Sequence, residues 1–157
     1  MKAFGLTIVI FALIFFQTAC KKSSKPCVPN SIASEVPSMA AFAAANNMSV
    51  TLDPRGLYYE VVTQGTGPAP DSASIVFVTY TAEFLNGAVF EQQTNAAATG
   101  WVLGQLIQGW LFGLPHIQKG GEIKLIVPSA LGYGCQGSVK IPPNSILYFD
   151  IKLVDVQ

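Results

Sequence analysis

An Asn86-Gly87 pair lies between two runs of strand-forming residues and predicts a tight β-hairpin in the middle of the chain. Asn-Gly suits a two-residue hairpin turn because both positions need a positive φ. The preceding run, Ile75 to Leu85, predicts a long strand, and residues 88–90 predict the returning strand. The centre of the chain therefore predicts an antiparallel sheet.

Four further strands are predicted around this hairpin, at residues 57–63, 101–103, 121–127 and 146–154. Residues 92–100 are polar or small and predict a bulge or flap. Residues 111–117 predict one or two helical turns, because Pro115 removes a backbone donor and limits the length of a helix. The pattern predicts an α+β domain in which a curved antiparallel sheet of five to six strands wraps one short helix.

A separate helix is predicted before the sheet. Residues 34–38 begin it, with Pro37 in the first turn, where its missing N–H costs no hydrogen bond. Residues 39–45 form helix readily, and the Asn46-Asn47 pair can end it. One face should dock either on the domain behind it or on a second copy of the chain. The apolar residues of that face are Val36, Met39, Phe42 and Ala43.

The first twenty residues predict a targeting segment. Lys2 precedes an apolar run of about 13 residues, Phe4 to Phe16, which is too short to cross ~30 Å of hydrocarbon. Cys20 follows Ala19 and resembles the lipidated cysteine of the bacterial lipobox, although Gln17 stands where an aliphatic residue is usual. The alternative is a plain signal peptide that is cut nearby. We expect a lipoprotein signal peptide at 1–19, a tether and helix at 20–50, and a folded domain at 51–157.

Charge and ligand counts exclude two function classes. Nine Lys and Arg residues balance nine Asp and Glu residues, so no basic surface is available for nucleic acid. A single histidine and three cysteines are too few ligands for a zinc or di-metal site.

Export would leave two cysteines in an oxidising compartment. With Cys20 lipidated, Cys27 and Cys135 are the remaining pair. The sequence does not fix the distance between their Cα atoms, so a disulfide stays open, and two free thiols are the preferred expectation.

The second half of the chain carries an ordered series of motifs. Residues 78–91 read VTYTAEFLNGAVFE, and residues 103–110 read LGQLIQGW. They are followed by Gly-Gly-Glu at 120–122, Val-Pro at 127–128, LGYG at 131–134, IPPN at 141–144 and LYFD at 147–150. The series resembles the motifs of FK506-binding-type (FKBP-type) peptidyl-prolyl cis-trans isomerases, in a bacterial lipoprotein form. The match covers residues 56–156, about two thirds of the chain.

The resemblance implies catalysed rotation about X-Pro peptide bonds, which is opposed by a barrier of ~18–20 kcal/mol. The reaction needs no nucleophile, metal or cofactor. The implied partners are proline-containing polypeptides that fold after export, with the domain facing the periplasm from a lipid anchor on Cys20. Two alternatives remain: a catalytically weak module that holds clients as a chaperone, and a tethered structural lipoprotein that associates through its helix.

The resemblance also assigns the residues of the site. It implies a proline-binding hollow with Trp110 as its floor, in which the Ile107 N–H and the Tyr133 hydroxyl hold substrate carbonyl groups. The implied catalytic residues are Tyr80, Phe90, Glu91, Trp110, Tyr133 and Phe149. The implied substrate-binding residues are Trp101, Leu106, Ile107 and Ile141.

Three departures from the family pattern bear on rate and substrate preference. Glu91 replaces the usual Asp, residues 92–100 carry no arginine, and the short loop 135–140 ends on Lys140. Outside the motifs, His116 is expected to be a solvated surface residue. One hypothesis is that Leu111 and Phe112, which are apolar where relatives often carry polar residues, form the docking site of the N-terminal helix.

Overall fold

The computed structural model describes residues 26–157 and contains one antiparallel sheet of seven strands and two α-helices. The signal peptide and the lipidation of Cys20 lie outside the described residues. The strands are β1 (Thr51–Leu52), β2 (Tyr58–Thr63), β3 (Ile75–Phe84), β4 (Val89–Gln93), β5 (Trp101–Val102), β6 (Glu122–Val127) and β7 (Leu147–Val156). The helices are α1 (Ile32–Ala45) and α2 (Gln108–Gly113).

The strand order is β1-β2-β6-β7-β3-β4, with β5 paired to the start of β3. The predicted α+β fold is confirmed. The strand predicted at residues 101–103 is the two-residue β5, and the only strand of residues 26–157 that was not predicted is β1, which also has two residues. The returning strand of the hairpin is longer than predicted. It continues to Gln93, opposite Tyr80, so the predicted flap begins later in the chain.

The core lies on one face of the sheet because alternate residues of the two longest strands point to the same side. Along β3 the buried residues are Val76, Val78, Tyr80 and Ala82. Along β7 they are Leu147, Phe149, Ile151 and Leu153. α2 packs on this face and begins three residues earlier than predicted.

Two glycines bring α2 close to the sheet. A Cβ added at Gly109 would overlap the side chain of Val127, and one added at Gly113 would lie 2.6 Å from Leu125. This close approach explains why a segment rich in glycine forms a helix here, because packing against β6 outweighs the low helix propensity of glycine.

We expect Gly109→Ala to push α2 away from the sheet. Overpacking of this kind costs ~1–3 kcal/mol of unfolding free energy. The change should also alter the fluorescence of Trp110, the next residue on the helix. Gly132→Ala is the control, since its added Cβ would make an ordinary 3.5 Å contact with Leu147. Equal denaturation midpoints for both variants would contradict the close-approach argument.

α1 docks on the opposite face of the sheet. Met39 and Ala43 are buried against Ile126, and the Phe42 ring lies 5.2 Å from that of Tyr148. Of the two predicted alternatives, the structure shows α1 docked on the chain's own domain. The hypothesis that Leu111 and Phe112 form the docking site of α1 is wrong, because both pack against the core that contains Trp110.

Cys27 and Cys135 form a disulfide, with their Cα atoms 5.5 Å apart. The expectation of two free thiols is therefore wrong. The two cysteines are separated by 108 positions, so their approach depends on the complete fold and has no local sequence signal. Within residues 26–157, no helix has both the length and the apolar character needed to cross a membrane.

Candidate active site

An aromatic hollow opens between α2 and the core face of the sheet, with a cavity volume of about 220 Å³. Its lining is mostly apolar, with one carboxylate and two tyrosine hydroxyl groups. The lining residues are Tyr80, Glu91, Trp101, Leu106, Ile107, Trp110, Tyr133 and Phe149. All eight are residues that the sequence assigned to the site.

The rings of the hollow pack edge to face around Trp110. The Tyr80 ring lies 5.0 Å from Trp110 at 87°, and the Phe149 ring lies 5.5 Å away at 89°. The Trp101 ring closes the group at 6.4 Å from Trp110. Edge-to-face contacts are favoured by the ring quadrupoles, so the neighbours hold the indole in a fixed orientation.

Each ring comes from a different element of the fold. Tyr80 is on β3, Phe149 on β7 and Trp110 on α2, while Trp101 is on β5. The inward positions of β3 and β7 place their rings on the core face, and the close approach of α2 brings Trp110 onto them. The hollow therefore depends on long-range pairing and not on any single motif.

The carboxylate of Glu91 acts on both tyrosines of the hollow. Burial raises the pKa of Tyr80 to about 12, and the negative charge of Glu91 contributes to the shift. Burial and the same carboxylate also raise the pKa of Tyr133. Both phenols therefore stay protonated near neutral pH and can donate hydrogen bonds.

Two hydrogen-bond donors belong to residues that line the hollow. Within residues 26–157, no acceptor bonds to the Ile107 N–H, because this residue stands before the first turn of α2. Tyr133 is 37% exposed and contributes the second donor, its hydroxyl group. The indole N–H of Trp110, at the floor of the hollow, is buried and has no hydrogen-bond partner among the described residues.

Two of the residues assigned from the sequence lie outside this lining. Phe90 packs behind the wall, with its ring 4.8 Å from Phe84 and 6.3 Å from Phe149. Ile141 is 4% exposed and belongs to the core. Both residues pack in or against the core cluster that contains Trp110 and Phe149, so they support the walls of the hollow from behind.

A second, larger cavity of about 310 Å³ lies beside β3, β4 and β7. Apart from Tyr80, its lining is polar or charged, with Thr79, Gln92, Glu122 and Lys152 among its residues. Water competes with any ligand for the polar groups of such a surface. The aromatic hollow is the better candidate site because apolar rings and a few polar groups converge there.

Sequence reasoning missed an ionic cluster around the buried carboxylate of Asp53, at the far end of α2. Asp53 is 2% exposed and accepts hydrogen bonds from Arg55 at 2.7 Å to each carboxylate oxygen. His116 Nε2 lies 3.2 Å from Asp53, and its ring stacks on Tyr59 at 3.9 Å. The His116 side chain is 29% exposed, so it lies at the surface as expected but is only partly solvated. The only local sequence signal is the Asp-Pro-Arg-Gly turn at residues 53–56, which places Asp53 close to Arg55 but gives no indication of His116.

Glu35 is a second buried carboxylate that the sequence did not single out. It is 4% exposed and accepts hydrogen bonds from Ser129 N and Ser129 Oγ, each at 2.7 Å. Ser129 begins the turn that leads to Tyr133. An acidic residue in the first turn of a helix is ordinary, so nothing in the sequence indicated its role.

A curved sheet around a short helix, with an aromatic hollow between them, is the fold of the FKBP-type peptidyl-prolyl isomerase class. The family model described as FKBP-type peptidyl-prolyl cis-trans isomerase matches residues 67–154. The chain belongs to this family, as its motifs predicted.

Curated relatives agree with this assignment. FKBP-type peptidyl-prolyl cis-trans isomerase FkpA of Escherichia coli is 40% identical over 114 residues, covering 72% of this chain and 42% of the relative. A probable FKBP-type peptidyl-prolyl cis-trans isomerase of Haemophilus influenzae is 38% identical over 120 residues, covering 75% and 49%. The chain thus spans less than half the length of these relatives.

Solved structures give the same result. The crystal structure of FkpA from Escherichia coli has a TM-score of 0.63 at 34% identity, covering 80% of this chain and 63% of that one. The peptidyl-prolyl cis-trans isomerase of Pseudomonas syringae has a TM-score of 0.66 at 28% identity, covering 83% and 98%.

Proposed function

We propose that this protein is a peptidyl-prolyl cis-trans isomerase that acts on X-Pro bonds of exported proteins in the cell envelope. The observation that carries the proposal is the aromatic hollow, because seven of its eight lining residues, all except Trp101, lie within the family motifs. Its volume of about 220 Å³ suits a proline side chain and part of its neighbour. Family membership supports the same reaction.

The chemistry follows from the lining. Resonance places negative charge on the carbonyl oxygen of a planar imide, and this charge decreases as the C–N bond twists. Water stabilises the planar form more than the twisted one, so a hollow that excludes water lowers the barrier. The proline ring would rest on Trp110, while the Ile107 N–H and the Tyr133 hydroxyl bind neighbouring carbonyl groups.

A location in the envelope is supported by two independent features. Residues 1–20 have the pattern of a lipoprotein signal peptide, which would leave the protein anchored through lipid on Cys20. The Cys27–Cys135 disulfide is typical of an oxidising compartment. In this proposal residues 21–30 connect the anchor to the domain, and the hollow faces the periplasm.

An isomerisation assay on a short proline peptide, using the chain from Lys25 onward, tests this function. We expect turnover in the unmodified chain and a roughly threefold to tenfold lower kcat/KM in Glu91→Ala, the effect of one partly screened charge. Glu83→Ala is the control, because Glu83 carries the same charge but does not line the hollow. An inactive unmodified chain would end the proposal.

The client-holding alternative makes a different prediction in the same preparation. The long side chain of Glu91, in the place of the usual Asp, favours a weaker catalyst. A pure holding module would suppress aggregation of an unfolded protein without any turnover of the proline peptide. Turnover that Phe149→Leu abolishes while holding persists would show that the chain combines both activities and that holding does not depend on the intact hollow.

A further inference from the structure

We propose that residues 27–35 position the active site from outside the family domain. They hold the Tyr133 loop, defined here as residues 129–144, at three points and thereby fix the Tyr133 hydroxyl at the hollow. The proposal rests on the function proposed above, since Tyr133 is assigned to substrate binding there. We call residues 27–35 the clamp. The matched family segment, residues 67–154, does not include them.

The first contact is at the start of the loop. The Glu35 carboxylate accepts the Ser129 N–H and the Ser129 hydroxyl, and the two residues are 4% and 1% exposed. The carbonyl of Ser129 in turn accepts the N–H groups of Gly132 and Gly134, at 3.0 and 2.8 Å. These two glycines flank Tyr133. The buried carboxylate therefore fixes the residue whose carbonyl bonds to both neighbours of Tyr133.

The second contact is covalent and lies in the middle of the loop. The disulfide joins Cys27 to Cys135, two residues after Tyr133. Close to it, Gly134 and Gly137 have φ values of 60° and 63°, which give this part of the backbone high conformational freedom when unconstrained. A covalent link at Cys135 removes much of that freedom.

The third contact is at the end of the loop. The Asn144 side chain accepts the Asn30 N–H at 3.2 Å and donates to the Val28 carbonyl at 3.0 Å. Asn144 N also donates to the Gly134 carbonyl at 2.9 Å, so this end is tied back to the segment beside Tyr133. Asn30 Nδ2 donates to Glu35 at 3.0 Å and links the third contact to the first.

The loop is held by a few hydrogen bonds of its own and by the buried side chains of Leu131 and Ile141, but it has little regular structure. Between the short turn at Ser129–Leu131 and β7 it contains no strand or α-helix, and Val139 at its tip is fully exposed. A loop with few buried contacts opens at low free energy. The clamp therefore supplies order that the sheet does not.

The test is a double-mutant cycle on the full mature chain. Cys27→Ser/Cys135→Ser should lower kcat/KM for a short proline peptide by about fivefold to tenfold, since small displacements of a binding group are costly. Glu35→Gln should act in the same direction. In a Tyr133→Phe background neither change should lower kcat/KM further, because the hydroxyl that the clamp positions is already absent.

A dithiol reductant provides a test without mutation. It supplies two electrons and two protons, so that the S–S bond becomes two thiols while the dithiol closes to its own disulfide. The reduced wild type should match the double serine variant in kcat/KM and should exchange its amide hydrogens faster across residues 133–141. The reductant should leave the double serine variant unchanged.

Phe42→Ala is the control for general loss of stability. It weakens the packing of α1 on Tyr148 but leaves the clamp contacts in place, so kcat/KM should stay within about twofold. The proposal is overturned if the double serine variant keeps full activity, or if the loss is equally large in the Tyr133→Phe background. Should the wild type itself lack isomerase activity, the proposed function fails, and unchanged amide exchange on reduction would overturn the clamp.

Discussion

Phe149→Leu should lower isomerase activity by at least tenfold while the protein stays folded. Phe149 is 4% exposed and forms one wall of the hollow, with its ring edge to face with Trp110 at 5.5 Å. Leucine fills much of the same volume, so the cost in unfolding free energy should remain at about 1–1.5 kcal/mol. The flat wall is lost, however, and water gains access to the twisting peptide. Proline-peptide turnover and thermal unfolding, measured together, check both parts.

Phe84→Leu is the matched control for this prediction. Phe84 lies on β3 with its ring 4.8 Å from that of Phe90 and tilted by 39°, but it does not line the hollow. The two variants therefore remove the same atoms from one aromatic group, in one case at the cavity and in the other behind it. If both lowered turnover equally, the effect would come from the packing of the sheet, and the hollow would lose its assigned role.

Strands and hairpin could be predicted because their signals are local. The Asn86-Gly87 pair determines the turn through its preference for positive φ. The residues on either side are rich in β-branched and aromatic side chains, which favour strands. The bounds of β3 and β6 accordingly differ from prediction by one residue. The bounds of α2 were harder to predict, because Gly109 and Gly113 lower the helix propensity of the segment. Their role, which is to let the helix approach β6 closely, is visible only in the folded structure.

The rings of the hollow could be predicted for another reason. Their motifs identify positions in a known family, so the assignment of Tyr80 or Trp110 did not require the fold to be derived. The contacts that family motifs do not contain were missed. Cys27 with Cys135 and Glu35 with Ser129 each join residues about a hundred positions apart, and such pairs have no sequence pattern.

The contacts of the Asp53 cluster were also missed. We expect this cluster to affect how the stability of the fold depends on pH in the acid range. The Arg55 guanidinium holds the pKa of the Asp53 carboxyl well below its usual range, with His116 contributing a further hydrogen bond. Arg55 also lies over the Phe112 ring at 4.4 Å. The cluster thus ties the turn before β2 to the end of the helix that carries Trp110.

Asp53→Ala should destabilise the protein by about 2–3 kcal/mol at neutral pH. Breaking a fully buried ion pair costs ~3–5 kcal/mol, but Arg55 is 46% exposed and regains water once Asp53 is removed, so we expect less. The carboxyl pKa is lower in the folded chain than its value of ~3.9 in the unfolded chain. Its stabilisation is therefore complete above the unfolded value and is lost as the pH falls below it.

Unfolding free energies measured from pH 7 down to pH 2 separate this cluster from ordinary surface charge. The wild type should lose stability more steeply below pH ~4 than Asp53→Ala, because the variant lacks the carboxyl that must be protonated. Asp155→Ala is the control: its pair with Lys119 at 2.6 Å is 33% and 52% exposed, and such pairs contribute ~0–1 kcal/mol. Parallel curves for wild type and Asp53→Ala would show that the cluster does not couple acid to unfolding.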